Sequence, residues 1–179
     1  MLKTKITYHE NRLIPEFLKK LGFSTLNSEY KFPLSIRQGH SLVLQENQSL
    51  NEVVLSFPNY VSMEECSQIH NLIHEIVVHV NGKVDDTAAL LGYDEYGQKV
   101  YIYHGFKQWK EYIEEAKFHS LEGQNVEVYH GDELLGRGLL LSYKKERVDE
   151  ENTYITCTVI STTGEQYFMG ENLRIVGVI

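Results

Sequence analysis

The sequence is short of several features that would point directly to a function. It contains two cysteines, Cys66 and Cys157, among 179 residues. Two distant cysteines in a chain long enough to build a hydrophobic core do not make a disulfide framework. No apolar run approaches the ~18–20 residues that span a bilayer, and no basic segment leads into an apolar one as in a signal peptide. These absences predict a cytoplasmic protein that does not enter a membrane.

Positive charge is also scarce. The chain has 17 Lys and Arg against 25 Asp and Glu, a formal net charge of −8. From Leu121 onward, ten acidic residues face five basic ones, and the basic cluster of Lys144, Lys145 and Arg147 is followed at once by an acidic run. Proteins that bind a phosphate backbone rely on Lys and Arg to displace counterions. The charge balance therefore predicts that nucleic acid is not a partner.

What the chain does contain is an ordinary globular composition, with 42% hydrophobic and 23% charged residues. Its hydrophobic periodicity changes near His119 and Ser120, from alternating helices and strands to strands alone. We therefore predict two domains, an α+β domain over residues 1–119 and a small all-β domain over residues 120–179.

The first predicted domain is an antiparallel sheet with two or three helices. Apolar spacing predicts helices over Leu13–Leu21, Ser62–Val80 and Phe106–Phe118. The middle one is marked most clearly, because Ser62 and Glu65 form a capping box and Asn81-Gly82 follows its last turn. Strands are predicted over Tyr30–Arg37, Ser41–Gln45 and Glu52–Phe57, the first at an edge because Pro33 cannot donate to a ladder. A hairpin is predicted over Ala88–His104, with its turn at Asp94–Gly97.

The second predicted domain consists of five short strands. They are Asn125–Tyr129, Leu134–Tyr143, Tyr154–Ser161, Gln166–Met169 and Leu173–Val178, with Lys144–Asn152 as a charged hairpin loop. The pattern Leu121-x-Gly123, Val126, Val128, Gly136-x-Gly138-Leu139-Leu140 and Leu173-x-Ile175 resembles that of SH3-like and Sm-like small barrels. The resemblance covers about a third of the chain. It implies a barrel-like module, and no functional residue is carried over from it.

One candidate site lies on the middle helix, where Cys66, His70 and His74 recur one turn apart. A thiolate and two imidazoles are ligands that Zn²⁺ accepts, and His70 is also a possible base for Cys66 as a nucleophile. The alternative is that these are packing residues, with Cys66 in the apolar stripe and the histidines at its margin. A second candidate is an aromatic binding surface comprising Tyr96, Tyr101, Tyr103 and Trp109, since tyrosine and tryptophan suit interfaces. The alternative there is that these rings cover a two-layer junction between the two predicted domains.

Two functions follow from these sites. The leading hypothesis is a non-catalytic binding or assembly protein of unknown ligand that binds a protein partner or itself, most simply as a homodimer. The alternative is a small metal-dependent or cysteine-based enzyme centred on Cys66, His70 and His74. The first hypothesis requires no cofactor, and the second requires Zn²⁺ or a reactive thiol.

Overall fold

The strands of this protein form two antiparallel sheets and a separate two-stranded hairpin. The computed structural model describes residues 1–9, 15–26, 29–34, 40–147, 153–171 and 173–178. Along the chain the elements are β1 (Leu2–Thr7), α1 (Pro15–Lys20), β2 (Ser24–Leu26), β3 (Glu29–Pro33), β4 (Ser41–Asn47), β5 (Glu52–Phe57), α2 (Met63–Val80), β6 (Lys83–Asp85), β7 (Leu90–Tyr93), β8 (Lys99–Tyr101), α3 (Phe106–His119), β9 (Asn125–His130), β10 (Glu133–Arg147), β11 (Thr153–Ser161), β12 (Gly164–Gly170) and β13 (Leu173–Gly177). The predicted mixture of helices and antiparallel strands is confirmed.

The chain divides into two compact units, Met1–Lys110 and Glu111–Ile179, called here the first and second unit. The division falls within α3. Whether residues 1–119 and 120–179 fold as independent domains stays a prediction. Among the described residues, no helix combines the length and the apolar character needed to cross a membrane.

The first unit contains a six-stranded sheet, called the first sheet, in the order β2-β3-β4-β5-β1-β6. One face buries alternate residues of its central strands, such as Leu44, Leu55 and Ile6, in a single apolar core. Helix α2 contributes its stripe to that core through residues Ile69, Ile73, Ile76 and Val80. Apolar residues recur about every four positions on the helix and every two positions on the strands, so each set lies on one face of its element. These two faces meet in the same core.

The start and end of α2 match the capping signals in the sequence. The Glu65 backbone N–H donates to the Ser62 hydroxyl at 3.1 Å, and the Ser62 N–H donates to the Glu65 carboxylate at 2.7 Å. Asn81 ends the helix in the left-handed conformation, with φ of 48°. The capping box satisfies two donors that would otherwise be unpaired.

For the first sheet, one strand was missed and one prediction is wrong. No strand was predicted over β1, although Thr4 and Ile6 are buried and alternate with exposed residues. Strand β3 is not an edge strand, because it lies between β2 and β4. The three residues of β2 pair only with Glu29–Lys31, so Pro33 lies beyond them and its missing N–H breaks no ladder there. The rest of the expected strand, residues 35–37, lies outside the described residues, as do residues 13 and 14 of the first predicted helix.

The second unit contains a five-stranded sheet, called the second sheet, in the order β12-β11-β10-β9-β13. Strands β9 to β12 follow one another as a meander, and β13 returns beside β9. The sheet is open, since no pairing between β12 and β13 closes it within the described residues. Lys144–Arg147 belong to β10, so the first part of the predicted charged loop is strand instead. Residues 148–152 lie outside the described residues.

Strand β10 is long and bent. Its register shifts once between Leu134 and Gly136 and again between Leu140 and Ser142, the sign of β-bulges. Gly138 allows the close approach of the neighbouring strand, because a side chain there would collide with the Ile160 carbonyl oxygen. The inner face of the sheet buries a second core around Val128, Leu140 and Val159, against which Phe118 and Leu121 pack.

Candidate functional site

The structure does not bring Cys66, His70 and His74 together as a metal site. Cys66 and His70 are buried, whereas His74 is exposed. Within the described ranges, no group of three or more His, Cys, Asp or Glu side chains has a geometry that could hold a metal ion. Zn²⁺ binding therefore stays a prediction without a supporting contact.

The His70 ring is a packing group. Its Nδ1–H donates to the Ile102 carbonyl oxygen at 3.0 Å, and its ring centroid lies 5.7 Å from that of Tyr103 and 5.0 Å from that of Phe106. Burial lowers the pKa of His70, and the bond to Ile102 opposes this only in part. A neutral His70 thus ties α2 to the segment that precedes α3.

The Cys66 thiol lies in an environment that suppresses reactivity. Burial, followed by the nearby Glu65 carboxylate, raises the pKa of Cys66 from 9.0 to about 11. Burial also raises the pKa of Cys157 to about 11. A nucleophilic cysteine needs the opposite shift, because the thiolate is the reactive form.

The four residues of the predicted aromatic surface fall into different environments. Tyr96 is 77% exposed at the hairpin turn, whereas Tyr101 is half-buried. Tyr103 and Trp109 pack against the core of the first unit. The Trp109 Nε1–H donates to the Tyr93 carbonyl oxygen at 3.1 Å, which fastens α3 to the hairpin. This set is therefore partly a packing element and partly an accessible surface.

Tyr101 and Trp109 also line a cleft of about 450 Å³ in the first unit. The hairpin contributes Asp94 and Gln98–Tyr101, the following loop contributes His104 and Gly105, and the start of α3 contributes Gln108. The cleft combines aromatic rings with side chains that donate and accept hydrogen bonds.

A carboxylate–imidazole pair at this cleft was missed from the sequence. Asp86 is 2% exposed, and its Oδ2 accepts the backbone N–H groups of Tyr103 at 2.8 Å and His104 at 2.9 Å. The His104 Nδ1–H donates to Asp86 Oδ1 at 2.6 Å, while the His104 side chain is 60% exposed. The two residues lie 18 positions apart. A short sequence motif cannot reveal such a pair, because the two residues meet only when the β6–β8 region folds.

The second unit presents a different kind of candidate surface. Strand β12 is an edge of the second sheet, and two of its side chains, Tyr167 and Met169, are about two-thirds exposed. The register places Tyr167 opposite Thr158 on β11, and Ile160 of β11 opposite Leu139 of β10. Ile160 and Leu139 are exposed as well. Unpaired edge strands with apolar side chains pair readily with other chains.

Comparisons of this chain with protein-family models, with curated proteins and with solved structures give no match.

Proposed function

We propose that this protein is a non-catalytic binding or assembly protein that self-associates through strand β12. The observation that carries the proposal is the open, apolar edge of the second sheet. β12 is seven residues long, and Glu165 is its one charged residue. The other strand edges of the described residues include β2 and β6, each of three residues, and β6 carries Lys83 and Asp85. The opposite edge of the second sheet, β13, has five residues and carries Arg174. Short and charged edges resist pairing, whereas β12 is seven residues long with a single charge.

A second copy of the chain fits this edge. Antiparallel pairing of β12 with itself about Tyr167 sets Glu165 opposite Met169 and Gln166 opposite Phe168. No like charges then face each other, and the unused backbone groups of both strands become paired. This arrangement is a two-fold, isologous interface, which is the commonest symmetry of soluble oligomers. Ile160 and Leu139 extend the apolar surface inward from the edge.

The finer description of the second unit belongs to the same proposal. A barrel-like module of SH3-like or Sm-like pattern is supported by the meander, by the return of β13 beside β9 and by the two bulges that bend β10. The acidic charge supports a protein partner and disfavours nucleic acid. The cytoplasmic location likewise remains a prediction. No contact among the described residues favours the alternative enzyme centred on Cys66, His70 and His74.

The test is the oligomeric state by sedimentation velocity and light scattering over a wide range of concentration. We expect a dimer, and we expect Tyr167→Lys to dissociate it, because two lysines would meet at the symmetry centre. Tyr96→Lys is the matched control, since it makes the same change at an exposed tyrosine of the hairpin. A wild-type protein that stays monomeric at high concentration would contradict the proposal. Dissociation by Tyr96→Lys alone would move the interface to the predicted aromatic surface.

A further inference from the structure

We propose that the cleft beside the hairpin of the first unit binds a small, neutral, polyhydroxylated ligand of the size of a monosaccharide. The cleft volume of about 450 Å³ lies within the range of about 300–1,000 Å³ for small-molecule sites. No residue of β12 lines this cleft, so the ligand proposal does not depend on self-association.

The Asp86–His104 pair gives the cleft a fixed hydrogen-bonding group. Asp86 is held by two backbone N–H groups, and its carboxylate accepts the His104 Nδ1–H. The other ring nitrogen, Nε2, lies on the side of the imidazole away from Asp86 and takes no part in that pair. His104 lines the cleft and no other described residue hydrogen-bonds its ring. Nε2 is thus a fixed hydrogen-bonding atom for a ligand hydroxyl, which can donate or accept, and the Asp86 carboxylate holds the ring in its orientation.

The charges around the cleft favour a neutral ligand over an anion or a cation. Lys99 and Asp94 bring one charge of each sign to the lining, and the buried Asp86 carboxylate does not itself line the cleft. Asp94 Oδ1 accepts the backbone N–H groups of Tyr96 at 2.9 Å and Gln98 at 2.8 Å, which leaves Oδ2 as its further acceptor.

The remaining lining groups suit both the hydroxyl groups and the apolar C–H face of a sugar. Lys99, Gln98 and Gln108 bring donors, and both amides also bring acceptors, so hydroxyl groups find partners in both directions. Tyr101 and Trp109 bring aromatic surface, against which the apolar C–H face of a pyranose ring can pack. A fixed hydrogen-bonding group, one lining charge of each sign and aromatic surface together define the ligand class.

Trp109 provides the measurement, because it is the one tryptophan of the sequence and it lines the cleft. The full-length protein is titrated with the methyl glycosides of glucose, galactose and mannose, and with inorganic phosphate as the anionic comparison. We expect a saturable change in Trp109 fluorescence with at least one glycoside, at lower concentration than with phosphate. His104→Gln should weaken that binding by about tenfold, the loss of roughly one strong hydrogen bond.

The matched control is His119→Gln. His119 Nδ1 lies 3.3 Å from Glu122, so this pair resembles the Asp86–His104 pair, but both its side chains are exposed and it does not line the cleft. Binding should be unchanged in this variant. The proposal is overturned if no glycoside gives a saturable change, if phosphate binds more tightly, or if His104→Gln binds as well as the wild type. Repeating the titration with Tyr167→Lys keeps the result distinct from any failure of self-association.

Discussion

The outer faces of the two sheets differ in the polarity of their side chains. On the first sheet, the face away from the core carries polar side chains beside its valines, and Lys5 pairs with Glu52 at 3.2 Å. On the second sheet, the corresponding face exposes large apolar side chains, namely Leu139, Ile160, Tyr167 and Met169. Both sheets have a fully buried inner core. Exposed apolar patches of this kind mark interaction sites more often than isolated apolar residues do.

Both sheets bury alternate residues in a core, but their outer-facing residues suit different roles. In the first unit, α2 covers the apolar face and the strand edges are short or charged. In the second unit, Phe118 and Leu121 pack against the inner face, while the outer face and the β12 edge expose large apolar side chains. We therefore assign the small-ligand proposal to the first unit and the self-association proposal to the second.

The largest test of this comparison is whether the two units lose stability separately. Ile73→Ala and Leu140→Ala each truncate a fully buried side chain, one in each unit, and each should cost about 2–5 kcal/mol of unfolding free energy. The buried thiols report on the units one by one, because Cys66 lies in the first and Cys157 in the second. We expect Ile73→Ala to speed the thiol labelling of Cys66 far more than that of Cys157, with Leu140→Ala doing the reverse.

Equal acceleration at both thiols would break the comparison, because the units would then unfold as one. Glu75→Ala on the exposed side of α2 is the control, and its effect should stay within about 0.5 kcal/mol. Wild-type protein should label slowly at both cysteines, since burial raises the pKa of each thiol.

A smaller effect sharpens the role of α2 as the cover of the first sheet. Ser62→Ala removes the hydroxyl that accepts the Glu65 N–H, and we expect a loss of about 0.5–2 kcal/mol in denaturant unfolding. Ser62→Thr keeps the hydroxyl and should retain most of the stability. A loss seen with both variants would show that the cap is not the cause.

The pH-dependent effects lie at opposite ends of the pH scale. The pKa of His70 is lowered from 6.5 by burial, so the unfolded chain takes up a proton first and stability falls as the pH drops below about 6.5. Burial, with Glu115 and Glu114, raises the pKa of Tyr143 from 10.0 to about 12, so stability falls as the pH rises from 10 towards 12. The first change belongs to the first unit and the second to the second unit.

Unfolding free energies measured against pH check both signs. His70→Gln should flatten the acid side relative to wild type, whereas exposed His74→Gln should not. Tyr143→Phe should flatten the alkaline side, and the cysteines do not confuse the comparison because both proteins contain them. If stability depends on pH in the same way in these variants as in the wild type, His70 and Tyr143 do not cause the pH dependence.

Local patterns predicted much of the fold. The capping box of α2, the strand Glu52–Phe57 and the turn at Asp94–Gly97 were predicted and are confirmed, because each rests on interactions within a few residues. Strand β1 was missed because one of its two buried residues, Thr4, is polar. Strand β3 was taken for an edge because Pro33 was judged without its neighbour β2. The sequence predicted a barrel-like tail but left open whether it closes, because closure depends on long-range pairing; the described sheet is open.

The sequence by itself determined the class of the protein. Its hydrophobic periods specify helices and strands, and its charge balance weighs against nucleic acid, because both depend on composition and near neighbours. Only the tertiary structure decided which groups meet. It buried Cys66 and His70 but left His74 exposed, joined Asp86 to His104 across 18 positions, and left β12 at an edge. These outcomes depend on strand order and register, which no short window of sequence contains.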